Sequence, residues 1–315
     1  SYHTGPSLFT AMASVLAQEG LAELVVVDNG NPPDLLARIK QLALYDSRIR
    51  LVTGHGNVGY AAGCNIGVRT CNSEFVLILN PDCIVPPDAL NGLMREFGVL
   101  PGTMMAGPLL VNPDGSEQRG GRRQILSPLV ALSEVLGLHR LGMKRLNEHN
   151  NPLKAQTHDV PAISGACMFI RRSDYLSLGG MDEGYFLHVE DLDLCKRIAD
   201  AGKRIICVPQ VRVTHLLSTS GNVVSKTIER YKVSGFLRYF EKHYPDSLAN
   251  KLGLLDIGIW LRYFMRVHLY KARAAKAPHH LNAARRLMII ASALAARPEE
   301  TSLTGRTVLV TGATS

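Results

Sequence analysis

Three acids occupy four consecutive positions, Glu190, Asp191 and Asp193, at the start of the stretch EDLDLCKR. A carboxylate acts as a general base when it is ionised and held within reach of the proton it takes. Acids at a helix start are also stabilised by the helix dipole, so capping is a competing role. Three exceed what one cap requires, and helical geometry aims Asp191 and Asp193 to different sides, so one of them is expected to do chemistry. Arg197, six residues past Asp191, is a candidate for a phosphate contact. A further carboxylate, Asp82, follows the apolar run Phe75–Leu79 and the pair Asn80-Pro81. At the end of a strand it would suit Mg²⁺ or Mn²⁺, hard ions that want oxygen ligands and a diphosphate. A plain turn explains the tripeptide equally well. Asn112-Pro113-Asp114-Gly115 repeats it where the glycine favours the turn. His215 closes the run RVTH ahead of the polar LSTSGN, where it is either structural or a metal ligand. Gly54, Gly56, Gly59 and Gly63 punctuate HGNVGYAAGCN. Such glycines let backbone N–H groups approach a phosphate, or simply let a loop turn into a helix.

These residues need a frame to bring them together. ELVVVDNG, IRLVTG, EFVLIL and MMAGPLLV read as buried strands. They alternate with the helical stretches PSLFTAMASVLAQ, PDLLARIKQLALY, AAGCNIGVRT and PDALNGLMREFG. This alternation predicts an α/β fold with an open, mostly parallel central sheet and helices on both faces. Ligands of such sheets bind at the carboxyl ends of the strands. Asp28, the 55–65 loop and Asp82 all fall at such ends. Residues 112–158 are polar and glycine-rich around one apolar helix, and read as a mobile excursion. Order is expected to return with VPAISGACMFIRR, the acidic helix, and RIICVPQVRVTH as a pair of strands, followed by a helix over 226–244.

Composition narrows the function classes. Apolar residues make up 46% of 315, enough for a sizeable core. The six cysteines form no C-x-x-C pair, which points to buried thiols in a reducing compartment. No apolar stretch is long enough to span a bilayer, and no secretory leader is visible. The net charge is +8, and residues 248–297 hold nine Lys or Arg against one acid, Asp256. That local excess speaks of a partner for the segment. LGLLDIGIWLRYFMRVHLYKARAAK mixes aromatic, apolar and basic residues, as helices lying in an anionic leaflet do; packing on the domain is the alternative. GRTVLVTGATS near the end looks like a strand entering a glycine turn, the opening of a dinucleotide-binding unit. We therefore expect a domain over 1–245, a basic amphipathic helical tail over 246–298, and the start of a truncated Rossmann-like unit over 299–315. A strand ahead of Ser1 is also expected, with the chain trimmed at both ends.

With these pieces placed, the order VVDNG, NVGYAAGCN, LILNPD, SGACMFIRR, GYFLHVEDLDLCKR and VTH resembles family 2 glycosyltransferases of the GT-A fold over about residues 1–245. The bacterial rhamnosyltransferase branch, which builds O-antigen and other cell-surface glycans, is the nearest in look. The resemblance implies that Ser1, Tyr2 and Asp28 line the pocket for the nucleotide base. It places Asn57, Gly59 and Asn65 against the nucleotide, and Gly165 and Ala166 on the acceptor side. Asp82 matches the last acid of the family's D-x-D motif, and Asn80 stands where its first acid would be. Asp82 and His215 would hold Mg²⁺ or Mn²⁺, and Asp191 would be the catalytic base with Glu190 as its rival. The implied partners are a nucleotide-sugar donor, dTDP-rhamnose or a UDP-sugar such as UDP-galactofuranose, and a polyprenyl-diphosphate-linked or glycan acceptor. They include peripheral contact with an anionic membrane at the inner face of the plasma membrane, and a fused epimerase or dehydratase domain, but no nucleic acid. The basic loop holding Arg119, Arg122 and Arg123 would close over a phosphate, or be merely solvated. Two competing readings are a sugar-nucleotide dehydratase or epimerase, for which no Tyr-x-x-x-Lys is present, and a silent sugar-nucleotide scaffold.

Overall fold

The computed structural model describes residues 1–136, 145–217, 226–274 and 306–310. Along the chain, α1 (Ser7–Leu16), β1 (Leu21–Val27), α2 (Pro33–Tyr45), β2 (Ile49–Val52), α3 (Tyr60–Thr70), β3 (Phe75–Leu79), β4 (Cys83–Ile84), α4 (Ala89–Phe97) and β5 (Thr103–Val111) follow the expected alternation. Then come β6 (Arg122–Arg123), α5 (Pro128–Leu136), β7 (His158–Asp159), β8 (Ala162–Ile163), β9 (Cys167–Arg171), α6 (Arg172–Ser177), α7 (Glu190–Asp200) and β10 (Arg204–His215). The last elements are α8 (Lys226–His243), α9 (Leu248–Lys251), α10 (Leu254–Ala274) and β11 (Arg306–Val310).

The main sheet runs β2-β1-β11-β3-β9-β5-β10-β4, with β7 also paired to β10. β9 is antiparallel to both β3 and β5, so the sheet is mixed around a largely parallel frame. Successive residues of a strand face opposite sides. Val25, Val27, Val76 and Ile78 pack with α3, α7, α8 and α10. Leu24, Val26, Phe75, Leu77 and Leu79 pack with α1, α2 and α4. With a core on each face, a central strand such as β3 has no polar side, which is why FVLIL is unbroken and wholly buried.

Three expectations are revised. RIICVPQVRVTH is one strand, β10, whose register against β5 slips between Val208 and Arg212; the slip, not a turn, absorbs the irregularity around Pro209. The described parts of the 112–158 excursion are pinned: Gln118 N–H donates to Leu110 O, Gln124 N–H to Leu146 O, and Ser164 N–H to Gly121 O. Arg306–Val310, expected at the start of a further unit, pairs within the main sheet. β11 lies parallel between β1 and β3, in the position where a strand was expected ahead of α1. Two parallel strands with facing unpaired edges are an obvious berth for a short apolar strand with no sheet of its own. The remainder of 299–315 lies outside the described residues, as do 275–298 of the basic tail. Among the described residues no helix is long and apolar enough to cross a membrane.

Candidate active site

The antiparallel pairing of β4 with β10 sets His215 opposite Cys83, so residues more than a hundred positions apart become neighbours. His215 Nε2 lies 3.2 Å from Asp82 Oδ1, and both side chains are buried. Gln118 fixes the imidazole. Its Nε2 donates to His215 O (3.0 Å) and Asn112 Oδ1 (3.2 Å), so its Oε1 must accept from His215 Nδ1–H at 2.7 Å. In the neutral ring, Nε2 then presents a lone pair to a carboxylate oxygen. Two acceptors at that distance are reconciled by a shared proton or by a cation. Asn80 Oδ1, beside them, is buried with no hydrogen-bond partner among the described residues, while Asn80 Nδ2 lies 3.4 Å from His215 Nε2. Oxygen, oxygen and imidazole nitrogen suit a hard divalent ion. Cys83 is the third group within ligand range, but burial, reinforced by the Asp82 charge, pushes its thiol well above the usual range. It remains an S–H donor to Ala166 O, and the donor set fits Mg²⁺ or Mn²⁺ better than a thiolate-bound metal.

Asp191 opens α7 at a second corner. His188 and Val189 before it both take left-handed backbone conformations, with φ of 70° and 76°. Gly235 of α8 makes room for them: a Cβ there would stand 3.0 Å from both His188 O and Val189 Cγ2. The turn directs Asp191 toward the loop ahead of β9. Its Oδ2 accepts from Gly165 N–H at 2.7 Å and from the Arg123 guanidinium, and its Oδ1 from Leu192 N–H at 2.8 Å. Burial works to raise the Asp191 pKa, but Arg123 and the two N–H groups outweigh it and hold the carboxyl below its ordinary value. Glu190 goes the other way. Burial, then the Asp191 charge, push it well above the usual range, and its Oε2 has no hydrogen-bond partner among the described residues. The two adjacent acids are therefore driven apart: Asp191 toward its ionised form and Glu190 toward its protonated form.

Gly165 and Ala166 join the two corners. Gly165 N–H holds Asp191, Gly165 O accepts from Tyr60 Oη at 2.5 Å, and Ala166 O accepts from Asn80 N–H at 2.8 Å. A Cβ at Gly165 would meet Asp191 Oδ2 at 3.3 Å and Tyr60 Oη at 3.3 Å. One short loop thus holds the carboxylate on α7 and, through Asn80 and Cys83, the backbone on either side of Asp82. At the carboxyl end of β1, Asp28 Oδ1 accepts from Gly30 N–H, Asn31 N–H and Asn31 Nδ2, and its Oδ2 from Thr53 Oγ1. Ser1 is buried beside it, hydrogen-bonded to Asn31, and Tyr2 packs against Gly30. Asn57 is exposed and accepts from Gly59 N–H at 3.1 Å.

Several residues singled out in the sequence serve elsewhere. Asn65 is buried and saturated: it donates to Met181 O and Glu183 Oε1, and accepts from Met181 N–H and Tyr175 Oη. It locks the 175–183 loop. Arg197 donates from all three nitrogens, to Asp193 Oδ2, Leu178 O and Gly180 O, and so braces α7 against the 178–180 turn. Gly59 has φ of 87°, and a Cβ there would stand 2.5 Å from Phe186 O; packing against that loop accounts for the glycine. Arg122 is buried in a two-pronged bond to Glu117, and Arg123 is committed to Asp191. Of the three loop arginines only Arg119 is exposed, lining a hollow of about 220 Å³ with Arg145 and His149. Arg123, Gln118 and Tyr60 are the site residues that sequence reasoning missed as such. Asp193 faces away from Asp191, as helical spacing predicts, and binds His243 and Lys242 of α8.

A corner with oxygen and imidazole ligands at the carboxyl ends of β3 and β10, and a carboxylate at the start of α7 tied to the loop ahead of β9, are the site of a glycosyltransferase with a GT-A sheet. Residues 1–178 match Glycosyl transferase family 2, and the chain belongs to that family. It is 28% identical over 237 residues to the N-acetylglucosaminyl-diphospho-decaprenol L-rhamnosyltransferase of Mycobacterium tuberculosis, covering 68% of this chain and 73% of that protein. It is 25% identical over 224 residues to the rhamnosyltransferase WbbL of Escherichia coli K12, covering 69% and 82%. Two solved structures share the fold. GalNAc-T7 with UDP, GalNAc and Mn²⁺ aligns with a TM-score of 0.53 at 17% identity, over 85% of this chain and 56% of that one. The Pyrobaculum calidifontis mannosyltransferase PcManGT with GDP-Man and Mn²⁺ aligns with a TM-score of 0.53 at 18% identity, over 93% and 77%.

Proposed function

We propose that the protein is an inverting, divalent-metal-dependent transferase that moves L-rhamnose from dTDP-rhamnose to a polyprenyl-diphosphate-linked acceptor during cell-surface polysaccharide synthesis. The observation that carries the chemistry is the 165–166 loop, which holds Asp191 on one side and, on the other, Asn80 and Cys83 flanking the Asp82 that meets His215. The donor and acceptor classes rest on the two rhamnosyltransferase relatives.

Asp82 and His215, with Asn80 beside them, would hold Mg²⁺ or Mn²⁺, which neutralises charge on a departing diphosphate. Asp191 takes the proton from an acceptor hydroxyl as that oxygen bonds to the anomeric carbon. The bond from that carbon to the diphosphate oxygen breaks with its electron pair, and a single displacement inverts the centre. Glu190, driven toward its protonated form by burial and the Asp191 charge, is the poorer candidate for the base. Ser1, Tyr2 and Asp28 shape the corner nearest the base of the nucleotide, where Asp28 acts mainly by fixing the turn after β1. Arg123 orients Asp191 until an acceptor hydroxyl replaces one of its hydrogen bonds.

The test combines binding and turnover. With Mg²⁺ present, dTDP-rhamnose should raise the melting temperature more than UDP-galactofuranose does. Asp191→Asn should keep that shift and lose transfer. A shift with UDP-galactofuranose alone would replace the donor assignment, and unchanged turnover in the variant would remove Asp191 from the mechanism.

A further inference from the structure

The outward face of α10 is apolar for about three turns, from Leu254 to Met265. Its inward residues Leu255, Ile259 and Tyr263 are buried against the core, and the helix packs on α8 and α5. Leu254, Ile257, Trp260, Leu261, Phe264 and Met265 point the other way and are between 43% and 64% exposed. At 3.6 residues per turn these six span a sector about 140° wide, and none of them is polar. A soluble surface scatters single apolar residues; a row on one helix face is a docking surface.

The charge around the row says what docks. Over its length α10 carries Arg262, Arg266, Lys271 and Arg273 against one acid, Asp256. Buried Glu229 of α8 draws Arg262 and Arg266 to one border of the apolar row, at 3.8 and 3.7 Å. Arg266 keeps 47% of its side chain exposed there. A second copy seated on this face would bring two positive helices together. Residues 281–297 of the chain itself carry three more arginines and no acid, so they are a poor electrostatic match as well. A surface that is apolar below and anionic above complements the face on both counts. Trp260 fits such a boundary, since its ring is apolar while its indole N–H needs a polar partner.

We infer that α10 docks the protein on an anionic lipid bilayer through Leu254, Ile257, Trp260, Leu261, Phe264 and Met265, with Arg266 at the headgroup level. This goes beyond the transferase reading and its test is independent of it, because lipid binding needs neither donor nor acceptor.

The test is co-sedimentation of the full chain with vesicles of phosphatidylcholine, with or without phosphatidylglycerol. The wild type should pellet with the phosphatidylglycerol vesicles, and raised salt should weaken that pelleting. Ile257→Glu with Phe264→Glu should lower the vesicle affinity about tenfold or more, from loss of two apolar insertions and added repulsion. Both positions are exposed, so circular dichroism and melting temperature should not change. Leu44→Glu, at an exposed position on the opposite side of the sheet, should bind vesicles like the wild type. Three results would overturn the inference: a wild type that stays in the supernatant, a double variant that pellets equally well, or a wild-type dimer that the double variant turns into a monomer without any vesicle binding.

Discussion

Replacing Arg123 by Gln should move the titration of Asp191 upward. Both side chains are nearly buried, with 13% and 11% of their surfaces exposed. Two unit charges about 4 Å apart at an effective dielectric of about 20 interact by about 4 kcal/mol. Relaxation and the surviving Gly165 and Leu192 hydrogen bonds reduce this to a rise of about 1–3 pKa units. In the wild type the Asp191 pKa is depressed, so its contribution to stability is complete above the unfolded-state value, near 4, and is lost as the pH falls through the folded-state value. In Arg123→Gln only the Gly165 and Leu192 hydrogen bonds still oppose burial, and the Asp191 pKa should rise above the unfolded value. The variant should therefore be least stable, relative to wild type, at neutral pH, by about 3–5 kcal/mol for an uncompensated buried charge. The deficit should shrink by up to about 1.4 kcal/mol per pH unit on acidification below the raised pKa. Urea unfolding at pH 7.5, 6 and 5 measures this, and the acid limb of kcat/KM should move up by the same amount. A deficit that is constant or grows on acidification would refute the assignment of Arg123 as the group that keeps Asp191 ionised.

Glu190→Gln is close to isosteric with a protonated acid, so stability should change by less than about 1 kcal/mol and transfer should persist, in contrast to Asp191→Asn; equal losses in the two would undo the division of roles. Gln118→Leu removes the bond that sets the His215 tautomer and should weaken Mn²⁺ binding by about 10–100-fold in calorimetry without unfolding the chain. Asn65→Leu strands Tyr175 Oη and the Met181 backbone, and should cost about 3 kcal/mol in denaturant unfolding while leaving the donor affinity of the folded protein unchanged. A large loss of donor affinity would restore Asn65 to the nucleotide pocket.

The alternation of apolar runs with amphipathic helices made the sheet legible, because each strand is buried on two faces and shows it in composition. The direction of β9 was not legible: CMFIR reads alike in a parallel or an antiparallel slot, and only pairing with β3 and β5 decides it. Asp82, His215 and Asp191 stood out because each interrupts an apolar pattern at an element end. Asn65 entered only through the family resemblance and Arg197 only for its spacing from Asp191; both side chains are taken up by loop contacts, and a polar side chain held by a loop looks in sequence like one awaiting a ligand. Arg123 was hidden among three arginines in a glycine-rich stretch. Which of the three is exposed depends on Glu117 and on the β6–β8 pairing, neither of which has a local signal.

The consecutive left-handed residues His188 and Val189 have a consequence for engineering. Neither is glycine, and each such conformation costs about 1–3 kcal/mol. Glycine at Val189 would relieve that backbone cost but delete a side chain buried in the core against Gly235, and burial is worth about as much as the strain or more. The strain is thus held in place by the packing of Val189 on α8, so the aim of Asp191 and the docking of α8 stand or fall together at this one turn.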